Sequence, residues 1–348
     1  MDRTALVQVA RVLIDLFLAA HPAPPETLIL AFDATDDPVH GHQEGRSFHG
    51  SSDHSCSLPR DVTCGDELLV AELRPSNLDA SRHARAILNL LVRRRRAAWP
   101  EVKITIRAES GSCRWRLMRW CDRNGIGSVL GLARDPVLEP AARDGTERAE
   151  RQLRRTGPPQ RLFGSFASAA ASWDRRRRVI VQAEHTAQGT NPRFVAAHVP
   201  GDPQALAEEV SCQRGEAEDR IKEQQLDLFA DRTSCHRFLA HQFRLLLSSA
   251  ADVLVQALRR TALAGTELAG ARVGTIRLKL LKVAARVVVS VRRVVFHLSR
   301  SYPSQRLFTR AWDRVIGGGR IGLESGGTAD DRDAAGLPGW GSGGSSMP

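Results

Sequence analysis

The residues that can do chemistry in this chain are acids placed where apolar runs end. In "LILAFDATDDPVHG", Leu28 to Phe32 reads as a short, fully buried strand, and Asp33 follows it directly. A carboxylate there is costly unless it is paired or holds a metal ion. Glu109 closes a second apolar alternation, "VKITIRAES". Glu218 stands in "SCQRGEAEDRIKEQQ", where Arg214, Glu218 and Lys222 recur every fourth residue and share one helix face. A carboxylate between two cations suits an acidic site that also meets phosphate. It suits equally an ordinary ladder of surface ion pairs, which contributes little.

Those acids need elements to position them. "ELLVAELR" reads as a strand, "EVKITIRAES" as another with Val102, Ile104 and Ile106 alternating, and "SVLGLAR" as a further one. "DASRHARAILNLLVRRRRAAW" is helical, with Asp79 as the expected N-cap and Leu88, Leu91 and Val92 on its apolar face. A second helix, "CRWRLMRWCDRNG", stops at Asn124-Gly125, and Gly41 to Ser57 is expected to form a hairpin. Strands alternating with helices predict a mixed α/β sheet flanked by helices. From Gln160 to Pro200, "RLFGSFASA", "RRVIVQAEH" and "PRFVAAHV" read as short strands of an inserted β-rich subdomain. A long helix is expected from about Asp202 to Asp227, more helix around "RFLAHQFRLLLSSAADVLVQALRR", and a basic β-hairpin over Ile276 to Leu298. Beyond Gly317 the chain is Gly/Ser-rich without an apolar period, as in a disordered tail.

The 348 residues carry 50 Lys plus Arg against 39 Asp plus Glu, a net +11. That excess fits a polyanionic partner, nucleic acid first. The arginine runs at 93–96 and 175–178 read either as phosphate contacts or as solvated faces. Six cysteines without a Cys-x-x-Cys pair favour a reducing, cytoplasmic setting over a disulfide scaffold. His49, Asp53, His54 and Cys56 cluster, but no second ligand pair of zinc-site spacing follows them. Gln8, Arg11 and Asp15 make the first apolar stretch an amphipathic helix, and Arg286, Arg292 and Arg293 break the valine-rich stretch near 290. No membrane association is expected.

"FDATDDPVHGHQEG", "RPSNLDASRHARAIL", "AWPEVKITIRAESG", "CRWRLMRWCDRNGI" and "RGEAEDRIKEQQLDLFADRTSCHRFLAHQFRLLLSS" resemble, in order, the DDE transposases of bacterial insertion sequences. The similarity lies with the subgroup that carries a β-strand insertion before its catalytic glutamate, and it covers most of residues 1 to about 310. It implies a ribonuclease-H-like fold: an N-terminal helix at 1–27 from a truncated DNA-binding region, a core at 28–157, the β-rich insertion at 158–200, the rest of the core at 201–316 and a tail at 317–348. It also implies cut-and-paste transposition at terminal inverted repeats, with DNA as partner, a homodimer in the synaptic complex and a nucleoid-associated location. Asp33, Glu109 and Glu218 then take the places of the three catalytic acids and hold two Mg²⁺ or Mn²⁺ ions, for which hard oxygen ligands are suited. Arg214, Lys222, Arg292 and Arg293 are the expected phosphate contacts.

This chain departs from the family pattern at several of those places. Glu109 stands where the family has Asp, Ser211 where it has Tyr, and Gln225 where it has Lys. Serines fill "HGSSDHSCSLP" where relatives carry tyrosines, and Gly111-Ser112 replaces Gly-Phe. An added methylene at Glu109 moves the carboxylate by roughly 1 Å, a displacement that costs ~100-fold in rate when positioning is critical. Two readings remain open: a transposase, active or impaired, and a catalytically inactive, truncated remnant that only binds DNA.

Overall fold

The computed structural model describes residues 2–317 apart from 51, 80, 233 and 300, and only the backbone of 3, 112 and 209–218. The tail expected at 317–348 lies, past its first residue, outside the described residues. Two units separate by their contacts, Met1–Ala284 and Ala285–Pro348.

Helix α1 (Arg3–Ala20) is capped by the Asp2 side chain, which accepts from the Ala5 amide. Then come β1 (Thr27–Ala34), β2 (Asp37–Pro38), β3 (Ser47–His49), β4 (His54–Ser57), β5 (Arg60–Cys64) and β6 (Glu67–Glu72). α2 (Ala84–Ala98), β7 (Lys103–Ala108), α3 (Trp115–Arg123), β8 (Gly127–Leu132) and α4 (Glu139–Thr156) follow. β9 (Gln160–Ser168), β10 (Arg177–Thr186), β11 (Gly189–Thr190) and β12 (Arg193–Ala197) lead into α5 (Pro203–Asp227), α6 (Phe238–Thr261) and the short α7 (Val273–Ile276).

The central sheet runs β11-β10-β12-β8-β7-β1-β5-β6, with β9 also on β10. β1 pairs in parallel with β7, and β7 with β8, while β1–β5 and β5–β6 are antiparallel. The result is a mixed sheet flanked by helices, of the ribonuclease-H-like kind. β12 hydrogen-bonds to β8 from Phe194 opposite Leu132 to Ala197 opposite Val129. The strands at 158–200 therefore extend the central sheet and form no layer of their own. The period of two along β1 sorts its faces. Leu28, Leu30 and Phe32 join Ile104, Ile106 and Leu130 in a core covered by Leu88, Leu91, Met118 and Cys121, with Ile14 and Phe17 of α1. Each such side chain contributes about 1.5–3 kcal/mol by leaving water. On the other face Leu245 of α6 packs against Leu68, Ala71 and Leu73.

Several local expectations need correction. α2 begins at Ala84 behind His83, whose φ of 66° is left-handed, and Asp79 is no cap. Its carboxylate instead accepts from the amide and hydroxyl of Ser81 and from Arg114, closing a turn ahead of the helix. One arginine of each four-residue run is buried: Arg95 lies over the Phe17 ring, and Arg177 binds Asp122 and Asp174. α4 gave no apolar period because its inward residues are Ala142, Thr146 and Ala149. A Cβ on its Gly145 would come within 2.8 Å of Ala183, so the helix needs glycine to lie this close to β10. Of the hairpin serines, Ser57 is buried, while Ser52 and Ser55 are half-buried. α6 is long and apolar enough to cross a membrane by length and composition, and in this fold Leu245 and Leu246 pack against β6 and α1.

The basic hairpin starts later than the sequence suggests. Residues from Val273 to Leu281 are helical, because Val273, Ile276 and Leu280 bury one face at helical spacing. In the second unit β13 (Ala285–Val289) pairs with β14 (Val294–Leu298), and α8 (Gln305–Ile316) follows. Arg292 and Arg293 are exposed in the connecting turn, closed by the Ser290 amide donating to the Arg293 carbonyl.

Candidate active site

Asp33 and Glu109 come level at the ends of two adjoining strands. Parallel pairing sets Ala31 beside Arg107 and Phe32 beside Ala108, and one further residue on each strand brings Asp33 beside Glu109. The Asp33 Oδ1 accepts the Ala34 amide at 2.8 Å, which fixes the carboxylate against the strand end. Glu109 is extended, with φ −72° and ψ 172°, and opens the short turn Ser110–Ser112. Gly131 of β8 lies behind it: a Cβ there would stand 3.2 Å from the Ser110 amide nitrogen and 3.6 Å from the Glu109 Cα. Glycine is what lets β8 approach the turn that carries Glu109.

Both acids line a cleft of about 330 Å³ that is also lined by Arg107, Arg134, Gln182 and Arg193, with Leu206 and Ala207 of α5 as a wall. Arg134 is held by its Nη2 donating to Asn191 Oδ1 at 2.7 Å. Two carboxylates beside three guanidinium groups give a site with both signs of charge, able to hold a hard cation and the phosphate that meets it.

A further acid lies on the same face. Asp61 of β5 stands directly opposite Asp33 in the antiparallel register, and Asp252 of α6 is within electrostatic reach of it. Burial first, then the charges of Asp33 and Asp252, push the Asp61 carboxyl up to about 7. Burial also raises Asp252 to about 6, although Gln256, Arg220 and Arg259 pull it back. The Oδ1 of Asp61 is buried without a hydrogen-bond partner, the kind of orphaned oxygen that a bound cation satisfies. Among the described residues no three His, Cys, Asp or Glu side chains stand together closely enough to hold an ion.

Glu218, Arg214 and Ser211 lie on α5, and their side chains are outside the described residues. The backbone places Glu218 between Leu206 and Ala207, which line the cleft, and Glu223, which anchors the helix. Glu223 is buried and accepts from Arg259 at 3.2 Å, Arg220 at 2.9 Å and the Val273 amide at 3.4 Å. Lys222 is exposed. Arg292 and Arg293 belong to the second unit. The sequence reading missed Asp61, Arg107, Arg134 and Arg193. Arg107 was within reach of it, since it lies two residues before Glu109 on the same side of the extended chain.

No curated protein matches the chain. Among solved structures, piggyBac transposase in a synaptic complex with hairpin DNA is similar at a TM-score of 0.39 and 8% identity, over 68% of this chain and 48% of that one. This chain thus spans about half of that chain's length. The model of the transposase DDE domain, group 1, matches residues 1–316, nearly the whole described chain, and the protein belongs to that family.

Proposed function

We propose that this chain catalyses cut-and-paste transposition of an insertion sequence, cleaving and joining DNA strands at terminal inverted repeats with Asp33, Glu109 and Glu218 as its metal-binding acids. The observation that carries the reading is the levelling of Asp33 and Glu109 in an arginine-lined cleft of a chain matched by the transposase family model. Two Mg²⁺ or Mn²⁺ ions, when bound there, activate the attacking water or 3′-hydroxyl and stabilise the leaving oxygen. The Ala34 amide holds the Asp33 carboxylate at its strand end, so little reorganisation of that group precedes reaction. Arg107, Arg134 and Arg193 offset phosphate charge inside the cleft, and Arg214 and Lys222 do so from α5. Arg292 and Arg293 add contacts to the DNA flanks. Two copies of the chain bring two element ends together, and the substrate sets the location at the nucleoid.

Glu109 in place of Asp supports the second reading, a DNA-binding remnant without activity. Strand cleavage separates the two. Purified protein is given linear DNA carrying the flanking element's terminal repeat, with Mg²⁺ or Mn²⁺, beside Glu109→Asp and Asp33→Asn. Cleavage by the native chain that Asp33→Asn abolishes is the expected result. Cleavage only by Glu109→Asp marks a site disabled at one carboxylate. No cleavage by either, with DNA still bound, establishes the remnant and overturns the catalytic reading.

A further inference from the structure

We infer that Asp61 is a further ligand of the ion held by Asp33, so that β1 and β5 present a carboxylate pair to one divalent cation. This rests on the metal-binding reading of Asp33 and goes beyond the three acids that the family resemblance supplies. The register sets Asp61 directly across from Asp33, and opposed residues of an antiparallel pair have Cβ atoms about 4.5–5.5 Å apart. Two carboxylates at that separation reach one ion with Mg–O distances of roughly 2.0–2.1 Å.

The surroundings of Asp61 distinguish it from a structural acid. It is 7% exposed, its Oδ1 has no hydrogen-bond partner, and the charges acting on it, Asp33 and Asp252, are both negative. Its chain neighbour Arg60 is turned away to Glu72 and the Arg82 carbonyl. Glu223, equally buried, shows the contrast: two arginines and a backbone amide satisfy it. Like charges placed opposite one another across a strand pair destabilise the sheet. A cation between Asp33 and Asp61 removes that repulsion and fills the empty acceptor at once.

The test uses the full chain without DNA, and reads Mn²⁺ binding from the electron paramagnetic resonance of the free ion and from the Mn²⁺-induced rise in melting temperature. Asp33→Asn abolishes binding if the metal reading holds. Asp61→Asn binds Mn²⁺ about 10-fold or more weakly, since even residues that only support metal ligands cost that much. Its metal-free melting temperature equals or exceeds that of the native chain, because a repulsive charge is gone. Asp61→Cys provides a second variant and a readout that a packing role does not move: its affinity shifts from Mn²⁺ towards Cd²⁺, which thiolate prefers. Native Mn²⁺ affinity in Asp61→Asn, or no gain for Cd²⁺ in Asp61→Cys, overturns the inference. Loss in Asp33→Asn without loss in Asp61→Asn refutes Asp61 alone, whereas no Mn²⁺ binding by the native chain refutes the metal reading of the whole site.

Discussion

Replacing Arg95 by Met is expected to stabilise the protein, although it removes one charge of a four-arginine run. The Arg95 guanidinium is fully buried, 3.8 Å over the Phe17 ring and 5.7 Å from the centre of Trp99, and none of its three nitrogens has a hydrogen-bond partner. Burial lowers its pKa from 12.5 to about 10, with Cys64 and Glu67 pulling weakly the other way. Keeping the charge in that place therefore costs roughly 3 kcal/mol relative to the unfolded chain. The desolvated cation–π contact returns about 2 kcal/mol. A Met side chain keeps the apolar stem and recovers about 0.3–1.5 kcal/mol from sulfur against the same rings. The balance favours Arg95→Met by about 1–2.5 kcal/mol, in line with buried ionic groups that hydrophobic residues replace without loss. Urea unfolding reads it as a higher midpoint at unchanged slope.

The same variant tests which arginines of the run meet DNA. A buried Arg95 makes no phosphate contact, so the dependence of log affinity on log salt is unchanged in Arg95→Met. In Arg93→Gln, at an exposed position, the slope falls by about one if that residue contacts phosphate. Destabilisation of Arg95→Met by about 1 kcal/mol or more, or a salt slope lowered by about one, refutes the reasoning.

Arg177 has the opposite prognosis, because its Nη2 donates to Asp122 at 2.8 Å and to Asp174 at 2.9 Å. Arg177→Met is expected to lose about 2–3 kcal/mol in urea unfolding, below the ~3–5 of a wholly buried pair because Asp122 keeps Arg175. For Asp37, 2% exposed, burial and then Asp231 and Asp36 raise the carboxyl from 3.8 to about 7. Its folded pKa exceeds its unfolded one, so the stability it supplies is complete below about 3.8 and is lost as pH rises through about 7. His241, 3.7 Å away with its own pKa lowered by burial and then Arg244, works in the opposite sense below 6.5, so the difference from Asp37→Asn isolates the carboxylate. Metal-free unfolding between pH 4.5 and 8 then shows a flatter profile for Asp37→Asn, and an unaltered profile sinks the argument. Replacing both Arg292 and Arg293 by Gln lowers the salt slope of DNA binding by about two with folding unchanged, since both are exposed in a turn. An unchanged slope removes the hairpin from the DNA interface.

What could be read from residues alone divides along a physical line. Asp33 and Glu109 were legible because an acid interrupts an apolar alternation that burial would otherwise continue, and each strand displays that interruption by itself. Asp61 was not legible, since its five-residue strand, "RDVTC", has no apolar run to interrupt and its meaning comes from the register against β1. Charge runs hid their buried members for a related reason: Arg95 and Arg177 differ from their neighbours only in what other elements bring to them, Phe17 in one case and Asp122 in the other. α4 was missed because glycine and alanine make a close helix–strand contact without an apolar stripe. The start of the basic hairpin was misplaced because Val273, Ile276 and Leu280 follow the period of a helix among residues that also alternate. A local pattern reports which side of its own element a residue lies on. Only pairing between strands shows that Asp33 has Glu109 on one side and Asp61 on the other, and the case for a cation on β1 depends on that arrangement.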